Sequence, residues 1–329
     1  MKKGLFVAFV LMAVVLLPVL AQGGAESADG EFLPSKDIEW FVTSSPGGGS
    51  DIYTRAITDI MTVKGLANKK TFLVTNKTDG GGEVGRLTVS RVKAGTVANH
   101  TLLTFNSGDH LPMLQNTANR IANFTPIAVM AVDKQLLYIG EYSKYKNFDE
   151  VLGALNRGQN VVIAGSKGDD IATYELLVKE LGVSQNQLSF ITNDATSDAI
   201  TSVLGGHVDM VMSKPAAADQ YVEAGKLTAI LALSTTRFSG NLANAPTLSE
   251  LGSYSDVEFP VWRGVVGPGG MSDQAAEFWS NALKAVSESA EWKANYIDKY
   301  KLVPEFRDWK EAKAYMEAFE KTSLANLGK

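Results

Sequence analysis

The chain has 329 residues, a formal net charge of −5, three histidines and no cysteine. Lysine and arginine are interspersed with acidic residues and form no basic block, which argues against a nucleic-acid partner. Without cysteine there are no disulfides and no thiolate chemistry, and three scattered histidines make a histidine-based metal site unfavourable. We therefore expect neither a metal nor a cofactor.

The N-terminus has the parts of a secretory signal peptide. Lys2 and Lys3 precede an uncharged apolar run over residues 4–20, and Val19-Leu20-Ala21 offers small or permissive residues to a signal peptidase. The alternative is a retained anchor, but the run is at the short limit for crossing a bilayer and a polar, glycine-rich stretch follows it. The pattern predicts a signal peptide over residues 1–21 and a flexible linker over residues 22–36. The mature protein would be extracytoplasmic, with no stable membrane insertion.

After the linker, short β-rich runs recur, each followed by a glycine or polar turn and a helical pattern. Strands are predicted at residues 38–43, 71–75, 161–164, 188–192, 208–212 and 227–233. Helices are predicted to start near residues 51 and 83 and after the turn at 165–168, and helical spacing returns at 274–287 and 309–324. Strand–turn–helix units in series predict an α/β fold with mainly parallel sheets flanked by helices.

Three glycine-rich turns, at residues 46–50, 80–82 and 165–168, each follow a predicted strand and open a helix. The first turn of a helix presents unpaired N–H groups and the positive end of the helix dipole, so it can bind an anion. Ligands of open α/β sheets bind beyond the carboxyl ends of the strands. Two such turns could therefore face one shared cleft, although each could also merely reverse the chain.

Two side-chain pairs have both a structural and a functional interpretation. Asp51 at a helix start can cap exposed N–H groups and pair with Arg55 one turn later, or Arg55 can clamp an anion. Trp262 and Arg263 can line a cleft, or they can be a packed tryptophan and a solvated arginine.

One motif allows a cofactor interpretation. Gly80-x-Gly82-x-x-Gly85 follows a strand and matches the dinucleotide fingerprint. The acidic residue expected about 20 positions later would be Asp109, in a stretch that we interpret as a loop. The position of Asp109 therefore argues against the dinucleotide interpretation.

A second motif allows a hydrolase interpretation. Ala164-x-Ser166-x-Gly168 is similar to a degraded nucleophile elbow, but the only later histidine is His207, just before a predicted strand. A secreted α/β hydrolase using Ser166 is the alternative function. We expect Ser166 instead to donate its hydroxyl to an anion.

Several short motifs occur in a fixed order along the chain. They are Pro46-Gly47-Gly48-Gly49-Ser50-Asp51 with Arg55, Asn76-Lys77 with Gly81-Gly82-x-Val84-Gly85, Thr101-Leu102-Leu103, Phe124-Thr125-Pro126-Ile127-Ala128, Gly165-Ser166-x-Gly168, Gly205-Gly206-x-Val208-Asp209, Ala224-Gly225-Lys226-Leu227, and Ala245-Pro246-Thr247-Leu248-x-Glu250-x-Gly252. In this order they resemble the Bug family, the periplasmic substrate-binding proteins of tripartite tricarboxylate transporters. The resemblance runs from about residue 38 to residue 319.

The resemblance implies a two-lobed Venus-flytrap fold like that of other periplasmic binding proteins. Lobe 1 would comprise residues 37–137 and 262–329, lobe 2 residues 138–261, with crossings near residues 131–137 and 260–264. It implies a receptor, not an enzyme, that passes a small carboxylate to the membrane components of a tripartite tricarboxylate transporter. We expect a monomer, which suits a closing cleft. In the family, the first and third turns hold the carboxylate mainly through backbone N–H groups, hydroxyls and water.

The predicted ligand-binding residues combine these turns with polar residues at later strand ends. They are Pro46, Gly47, Gly48, Gly49, Ser50, Asp51, Asn106, Ser107, Gly165, Ser166, Gly168, Asp169, Asp170, Asn193, Asp194, Ser213, Trp262 and Arg263. Asp169, Asp170 and Asp194 depart from the family pattern. Asp169 and Asp170 would repel a plain carboxylate unless they point away or bind water or a cationic group of the ligand. A di- or tricarboxylate and an amino-acid-like zwitterion both stay open, since Asp170 or Asp194 could pair with an ammonium group.

Overall fold

Two β-sheets flanked by helices make up the part of the chain that the computed structural model describes, residues 31–259 and 261–328. The strands are β1 (Ile38–Val42), β2 (Phe72–Asn76), β3 (Thr101–Asn106), β4 (Phe124–Asp133), β5 (Gln135–Gly140), β6 (Val161–Ser166), β7 (Leu188–Asn193), β8 (Met210–Ser213), β9 (Leu227–Leu233), β10 (Val261–Pro268) and β11 (Val303–Arg307). The α-helices are α1 (Gly49–Val63), α2 (Glu83–Ser90), α3 (Thr96–Asn99), α4 (Ser107–Asn116), α5 (Phe148–Asn156), α6 (Asp169–Leu181), α7 (Thr196–Leu204), α8 (Pro215–Glu223), α9 (Asp273–Ser287), α10 (Ala290–Trp292) and α11 (Trp309–Asn326).

The first sheet has the strand order β11-β4-β10-β3-β1-β2. Strands β1, β2 and β3 are parallel to one another, whereas β10 pairs antiparallel with both β3 and β4. In the register between β10 and β3, Arg263 lies opposite Asn106, the last residue of β3. The late strand β10 thus brings an arginine to the edge of the sheet where the parallel strands end.

The second sheet has the strand order β7-β6-β8-β5-β9. Strand β6 is parallel to β7 and β8, and β5 is antiparallel to β8 and β9. Only Lys134 separates β4 of the first sheet from β5 of the second. The chain therefore crosses from one sheet to the other within one residue and returns later through β10.

These sheets confirm the two-lobed α/β fold class, but they are mixed rather than mainly parallel. The antiparallel pairs come from the strands next to the crossings, β4, β5 and β10, together with β9 and β11. Parallel neighbours must be joined by a crossover connection, usually a helix. A strand that enters a sheet directly from the other sheet has no such crossover and can pair antiparallel.

Helix formation follows the apolar spacing of the sequence. In α1, Tyr53, Ile57 and Met61 recur every four residues and are fully buried. Each sheet has its own apolar core. Trp262 lies in the core of the first sheet, and Ile163 and Leu231 lie in one of two clusters that cover the second.

Most of the predicted elements are present, with ends shifted by a few residues, but one prediction is wrong. The stretch from Phe105 to His110 is not a loop, because β3 ends at Asn106 and α4 begins at Ser107. The Asn106 side chain caps α4 by accepting a hydrogen bond from the Asp109 N–H at 3.2 Å. Pro112 inside the helix obscures the helical pattern, since proline is unusual there.

The glycines of the dinucleotide-like motif serve packing. Gly82 has φ of 81° and caps α2, and a Cβ there would lie 2.6 Å from Cβ of Thr43. A Cβ on Gly85 would lie 3.1 Å from the Lys77 carbonyl oxygen. These residues thus allow α2 to lie close to the turn that follows β1.

Two predictions fall outside the described residues. The proposed signal peptide and most of the linker lie within residues 1–30, and Pro260 of the second crossing also lies outside. Within the residues that are described, no helix combines the length and the apolar character needed to span a membrane.

Candidate functional site

A cavity of about 50 Å³ is lined by residues from elements of both sheets. Its wall includes first-turn or capping residues of α1, α4, α6, α7 and α8. The lining residues are Thr43, Ser44, Gly49, Ser50, Asn106, Gly108, Asp109, Ser166, Lys167, Asp169, Asp194, Ala195, Thr196, Lys214, Val261 and Arg263. Because several helices start at this wall, their N–H groups and dipoles favour an anionic group inside it.

The structure brings seven of the eighteen predicted ligand-binding residues to this wall: Gly49, Ser50, Asn106, Ser166, Asp169, Asp194 and Arg263. The other eleven do not line it: Pro46, Gly47, Gly48, Asp51, Ser107, Gly165, Gly168, Asp170, Asn193, Ser213 and Trp262. The first and third glycine turns thus meet at one cavity. That any of the seven binds a ligand stays a prediction.

The first turn is held by Asp51, whose carboxylate faces its own loop. It accepts hydrogen bonds from the Gly47 N–H at 2.9 Å, from Asn76 Nδ2 at 3.0 Å and from Arg55 Nε at 3.0 Å. Burial raises the pKa of Asp51, but these donors and the charge of Arg55 outweigh burial and leave it lowered. The pairing of Asp51 with Arg55 is confirmed. The predicted cap is not, because the Asp51 carboxylate accepts the Gly47 N–H of the preceding turn rather than an N–H group of the first turn of α1.

The third turn repeats this arrangement with a different carboxylate. Asp170 accepts hydrogen bonds from the Ser166 N–H at 2.7 Å and from the Ser166 hydroxyl at 3.0 Å. Its other oxygen accepts hydrogen bonds from Gln135 Nε2 at 2.5 Å and from the Lys214 ammonium. Since both oxygens are occupied inside the protein, Asp170 is not available to a ligand ammonium group, contrary to one of our two suggestions.

Lys214 is the counter-charge for two buried carboxylates. Its ammonium forms ion pairs with both Asp169 and Asp170, and all three side chains are at least 90% buried. Burial lowers the pKa of Lys214, but the two carboxylates outweigh burial and raise it. For Asp170, burial and the neighbouring Asp169 raise the pKa against the opposing effect of Lys214. At the start of α6, the single cation of Lys214 thus pairs with the two carboxylates of Asp169 and Asp170.

Arg263 and Trp262 lie on opposite sides of β10. Arg263 lines the cavity and forms a buried ion pair with Asp133, whose Oδ2 accepts from Arg263 Nε at 2.9 Å. Trp262 is fully buried in the core of the first sheet, 5.9 Å from the ring of Phe105 and 5.5 Å from that of Phe319. Of the two interpretations, the packed tryptophan is therefore confirmed, but the solvated arginine is wrong, since Arg263 is 3% exposed.

Asp109 and Lys167 supply two polar atoms that have no hydrogen-bond partner within the described part of the chain. Asp109 Oδ1 accepts from Arg86 Nη1 at 3.0 Å and from the Thr43 hydroxyl, whereas its Oδ2 is buried without a donor. The Lys167 ammonium is likewise buried without an acceptor. Burial is the largest cause that lowers the pKa of Lys167, opposed by the charges of Asp109 and Asp194.

The charged residues on the wall balance. Three carboxylates, from Asp109, Asp169 and Asp194, are matched by the cations of Lys167, Lys214 and Arg263. The wall therefore has no net formal charge, so the attraction for an anion comes from the helix starts and the unpaired Lys167. It also contains groups that could bind a positively charged or hydrogen-bond-donating part of a ligand.

The remaining predicted residues support the wall from behind. Asn193 lies opposite Ser166 in the register of β6 and β7, and the Ser213 hydroxyl donates to the Lys214 carbonyl at 2.9 Å. A Cβ on Gly168 would lie 2.5 Å from the carbonyl oxygen of Gly108, so the turn before α6 touches the start of α4. These contacts hold elements of the two sheets together across the cavity.

The surroundings of Ser166 do not favour the hydrolase interpretation. Its hydroxyl donates to Asp170 at 3.0 Å, and no hydrogen bond between Ser166 and a histidine occurs among the described residues. A serine nucleophile needs a general base within hydrogen-bond reach, and in an elbow that base is a histidine. No cluster of three or more histidine, aspartate or glutamate side chains suited to a metal occurs in residues 31–259 or 261–328.

Sequence reasoning missed nine lining residues: Thr43, Ser44, Gly108, Asp109, Lys167, Ala195, Thr196, Lys214 and Val261. Signals existed for some of them. Lys214 directly follows β8, and ligands collect at such strand ends. Lys167 lies between two predicted turn residues, and Asp109 lies three residues after the capping Asn106, a spacing typical of a helix start.

Comparison with known proteins identifies the family. Residues 55–307 match the profile of the tripartite tricarboxylate transporter family receptor, TctC. The chain belongs to this family. The curated relative BugT of Bordetella pertussis is 23% identical over 270 residues, which cover 79% of this chain and 79% of BugT. The predicted relation to the Bug family is thereby confirmed.

Solved structures agree on the fold. The periplasmic binding protein BugD superposes with a TM-score of 0.76 at 21% identity, covering 89% of this chain and 95% of BugD. MatC from Rhodopseudomonas palustris, solved with bound malate, also has a TM-score of 0.76, at 19% identity, covering 89% of this chain and 98% of MatC. The fold of this receptor is therefore that of periplasmic binding proteins.

Proposed function

We propose that this receptor captures a small carboxylate in the cavity between its two lobes and delivers it to the membrane components of a tripartite tricarboxylate transporter. The observation that carries the proposal is that the start of α1, at Gly49-Ser50, and the turn into α6, at Ser166-Lys167 and Asp169, line one cavity. Opposed helix starts can hold one carboxylate by N–H hydrogen bonds and dipole attraction. The malate bound to MatC, a protein of the same fold, supports this ligand class.

In this proposal, the two lobes predicted as residues 37–137 with 262–329 and residues 138–261 divide near Lys134, because β5 pairs in the second sheet from Gln135 onwards. The first crossing is supported by the single residue, Lys134, that separates β4 from β5. The chain would be exported, act as a monomer in the periplasm or another extracytoplasmic compartment, and catalyse no reaction. Binding would close the lobes and present the loaded form to the transporter.

The test is a thermal-shift screen of the mature chain beginning at residue 22. The probes are di- and tricarboxylates, amino acids and aromatic acids, each beside its methyl ester. A ligand at a hundredfold excess over its Kd adds about 2.7 kcal/mol of stability, so we expect Tm to rise by about 5 °C or more for a matching acid. Its ester should have no effect. If no acid in the screen raises Tm, the proposal is wrong.

Two glycine variants locate the binding site. A Cβ on Gly49 would lie 3.0 Å from Nη2 of Arg263 at the cavity, and a Cβ on Gly153 in α5 would lie 3.3 Å from Nη1 of Arg157, which does not line the cavity. Both glycines are helical and both changes crowd a guanidinium group. We expect Gly49→Val to remove the ligand-induced shift and Gly153→Val to retain it. Equal shifts in both variants would place the ligand elsewhere.

A further inference from the structure

Two buried polar atoms of residues on the cavity wall lack hydrogen-bond partners of opposite kinds. Asp109 Oδ2 has no hydrogen-bond donor, and the Lys167 ammonium has no acceptor, so they are not bonded to each other. Both residues line the same cavity. An unpaired polar group in the protein interior is unfavourable, and buried polar groups nearly always have partners. A ligand that offers both an acceptor and a donor would satisfy the two at once.

The other carboxylates on the wall are paired or solvated. Asp169 is ion-paired with Lys214, and Asp194 is exposed to solvent. Asp109 is 3% exposed, and its Oδ1 already binds Arg86 and Thr43, which fix the carboxylate while leaving Oδ2 free. Among the lining carboxylates of the described residues, Asp109 is therefore the one whose free oxygen calls for a donor from the ligand.

Asp109 and Lys167 come from elements of different sheets. Asp109 lies in the first turn of α4, which follows β3 of the first sheet, and Lys167 lies in the turn between β6 and α6 of the second. The turn before α2 also touches Lys167, because a Cβ on Gly81 would lie 3.4 Å from its Nζ. A ligand bound to both side chains would therefore link the two lobes.

We propose that the ligand of this receptor is a hydroxy- or amino-substituted carboxylate, whose carboxylate binds Lys167 and the helix starts while its hydroxyl or ammonium group donates to Asp109 Oδ2. This inference rests on the proposed function and names its ligand class. A plain dicarboxylate would satisfy Lys167 but leave Oδ2 without a donor. A site built to bind a donor discriminates strongly against an analogue without one, because its own polar group is then left unpaired.

Isothermal titration calorimetry on the mature chain tests this with two series of probes that differ only at C2. Succinate, malate and aspartate carry hydrogen, hydroxyl and ammonium there, and propionate, lactate and alanine repeat the series with one carboxylate. Any other acid that the screen identifies is compared with its analogue that lacks, or gains, the group at C2. We expect at least one substituted acid to bind at least tenfold more tightly than its unsubstituted parent. Parents that bind as tightly as their substituted forms would overturn the inference.

Two variants separate the roles of the side chains. Asp109→Asn keeps an acceptor for Arg86 but places an amide where the free carboxylate oxygen was, so we expect the discrimination at C2 to fall from tenfold or more to less than threefold. Lys167→Met should lower the affinity for all acids by a similar factor, at least tenfold. The ratio of affinities between substituted and unsubstituted acids should stay unchanged. If Asp109→Asn lowers the affinity for substituted and unsubstituted acids by the same factor, Asp109 has only a structural role and the inference is wrong. Should that variant not fold, the comparison of parents with substituted acids in the unmutated chain still decides.

The outcomes also separate this inference from the function on which it rests. If no acid of either series or of the screen binds, the proposed carboxylate receptor itself fails. If acids bind but a group at C2 makes no difference, the receptor stands and only the ligand class is wrong.

Discussion

The turns that start α1 and α6 have the same local construction but opposite electrostatics. In each, a carboxylate accepts the N–H of the residue four positions earlier, Gly47 for Asp51 at 2.9 Å and Ser166 for Asp170 at 2.7 Å. Yet the pKa of Asp51 is lowered and that of Asp170 is raised. The same short pattern therefore produces two different charge environments.

The difference arises from what surrounds each carboxylate. Asp51 pairs with Arg55, whose side chain is 50% exposed, and also accepts hydrogen bonds from Gly47 and Asn76. Asp170 is fully buried, next to Asp169, and shares the single cation of Lys214. Burial disfavours a charged group and a like charge adds to this effect, whereas several donors to an isolated carboxylate overcome burial. Local spacing positions the carboxylates, and their tertiary neighbours set their charge.

Removing the cation of each turn is the strongest test of this contrast. Lys214→Met leaves Asp169 and Asp170 buried without a counter-charge, and we expect the free energy of unfolding to fall by about 3–5 kcal/mol. Arg55→Met removes a half-exposed pair and should cost about 1 kcal/mol or less. Urea unfolding at pH 7 measures both. Similar losses in the two variants would show that the burial of Lys214 does not distinguish the turns.

The glycines of the two turns provide a second comparison. Gly47 and Gly168 both have positive φ, 77° and 70°, so alanine at either is strained and should cost at least about 1–2 kcal/mol of stability. A Cβ on Gly47 meets nothing within 4 Å, whereas one on Gly168 would lie 2.5 Å from the Gly108 carbonyl oxygen. We expect Gly168→Ala to weaken ligand binding at least tenfold by holding the cavity open, and Gly47→Ala to retain binding. Calorimetric titration of both with the screened acid decides, and equal affinities would contradict this.

The pH dependence of stability should have opposite sign for the two carboxylates. Asp51, with its lowered pKa, stabilises the fold above its ordinary value of 3.8, and this stability is lost as pH falls through the lower value. Asp170, with its raised pKa, loses stability as pH rises from 3.8 through the higher value.

Urea unfolding between pH 3 and 7 checks these signs with Asp51→Asn and Asp170→Asn. As pH rises, the stability of the unmutated protein relative to Asp51→Asn should increase, and relative to Asp170→Asn it should decrease. A shift of one pKa unit corresponds to about 1.4 kcal/mol, which sets the scale expected for each. If the relative stability changes in the same direction with pH for both variants, the two carboxylates do not have oppositely shifted pKa values.

Much of the fold could be predicted from the sequence because its signals are local. Strand β9 was expected at residues 227–233 and lies there, and α9 and α11 follow the helical spacing closely. The loop expected at residues 105–110 is instead the end of β3 and the start of α4, because Pro112 hides a helix that Asn106 caps. Periodicity and turn residues reveal elements wherever no unusual residue interrupts them.

The candidate site was only partly predictable, because its wall is assembled from distant segments. Gly49 and Ser166 were expected from strand–turn–helix order alone. Lys214 and Asp109 could not be assigned to the wall, since no short-range pattern shows that they approach the same turn. Trp262 and Arg263 are adjacent in sequence, yet one packs in the core and the other lines the cavity, as alternation along a strand requires.

By itself, the sequence determined the α/β class, the order of the family's motifs and the two glycine turns, because each strand, helix, motif and turn is recognised from residues close together in the chain. Only the tertiary structure decided which acids are paired and which oxygen is free. Asp170 is bound by Lys214, 44 positions later in the chain, whereas Asp109 Oδ2 lacks a donor. Burial and the approach of distant charges decide this, and both exist only once the two sheets have folded.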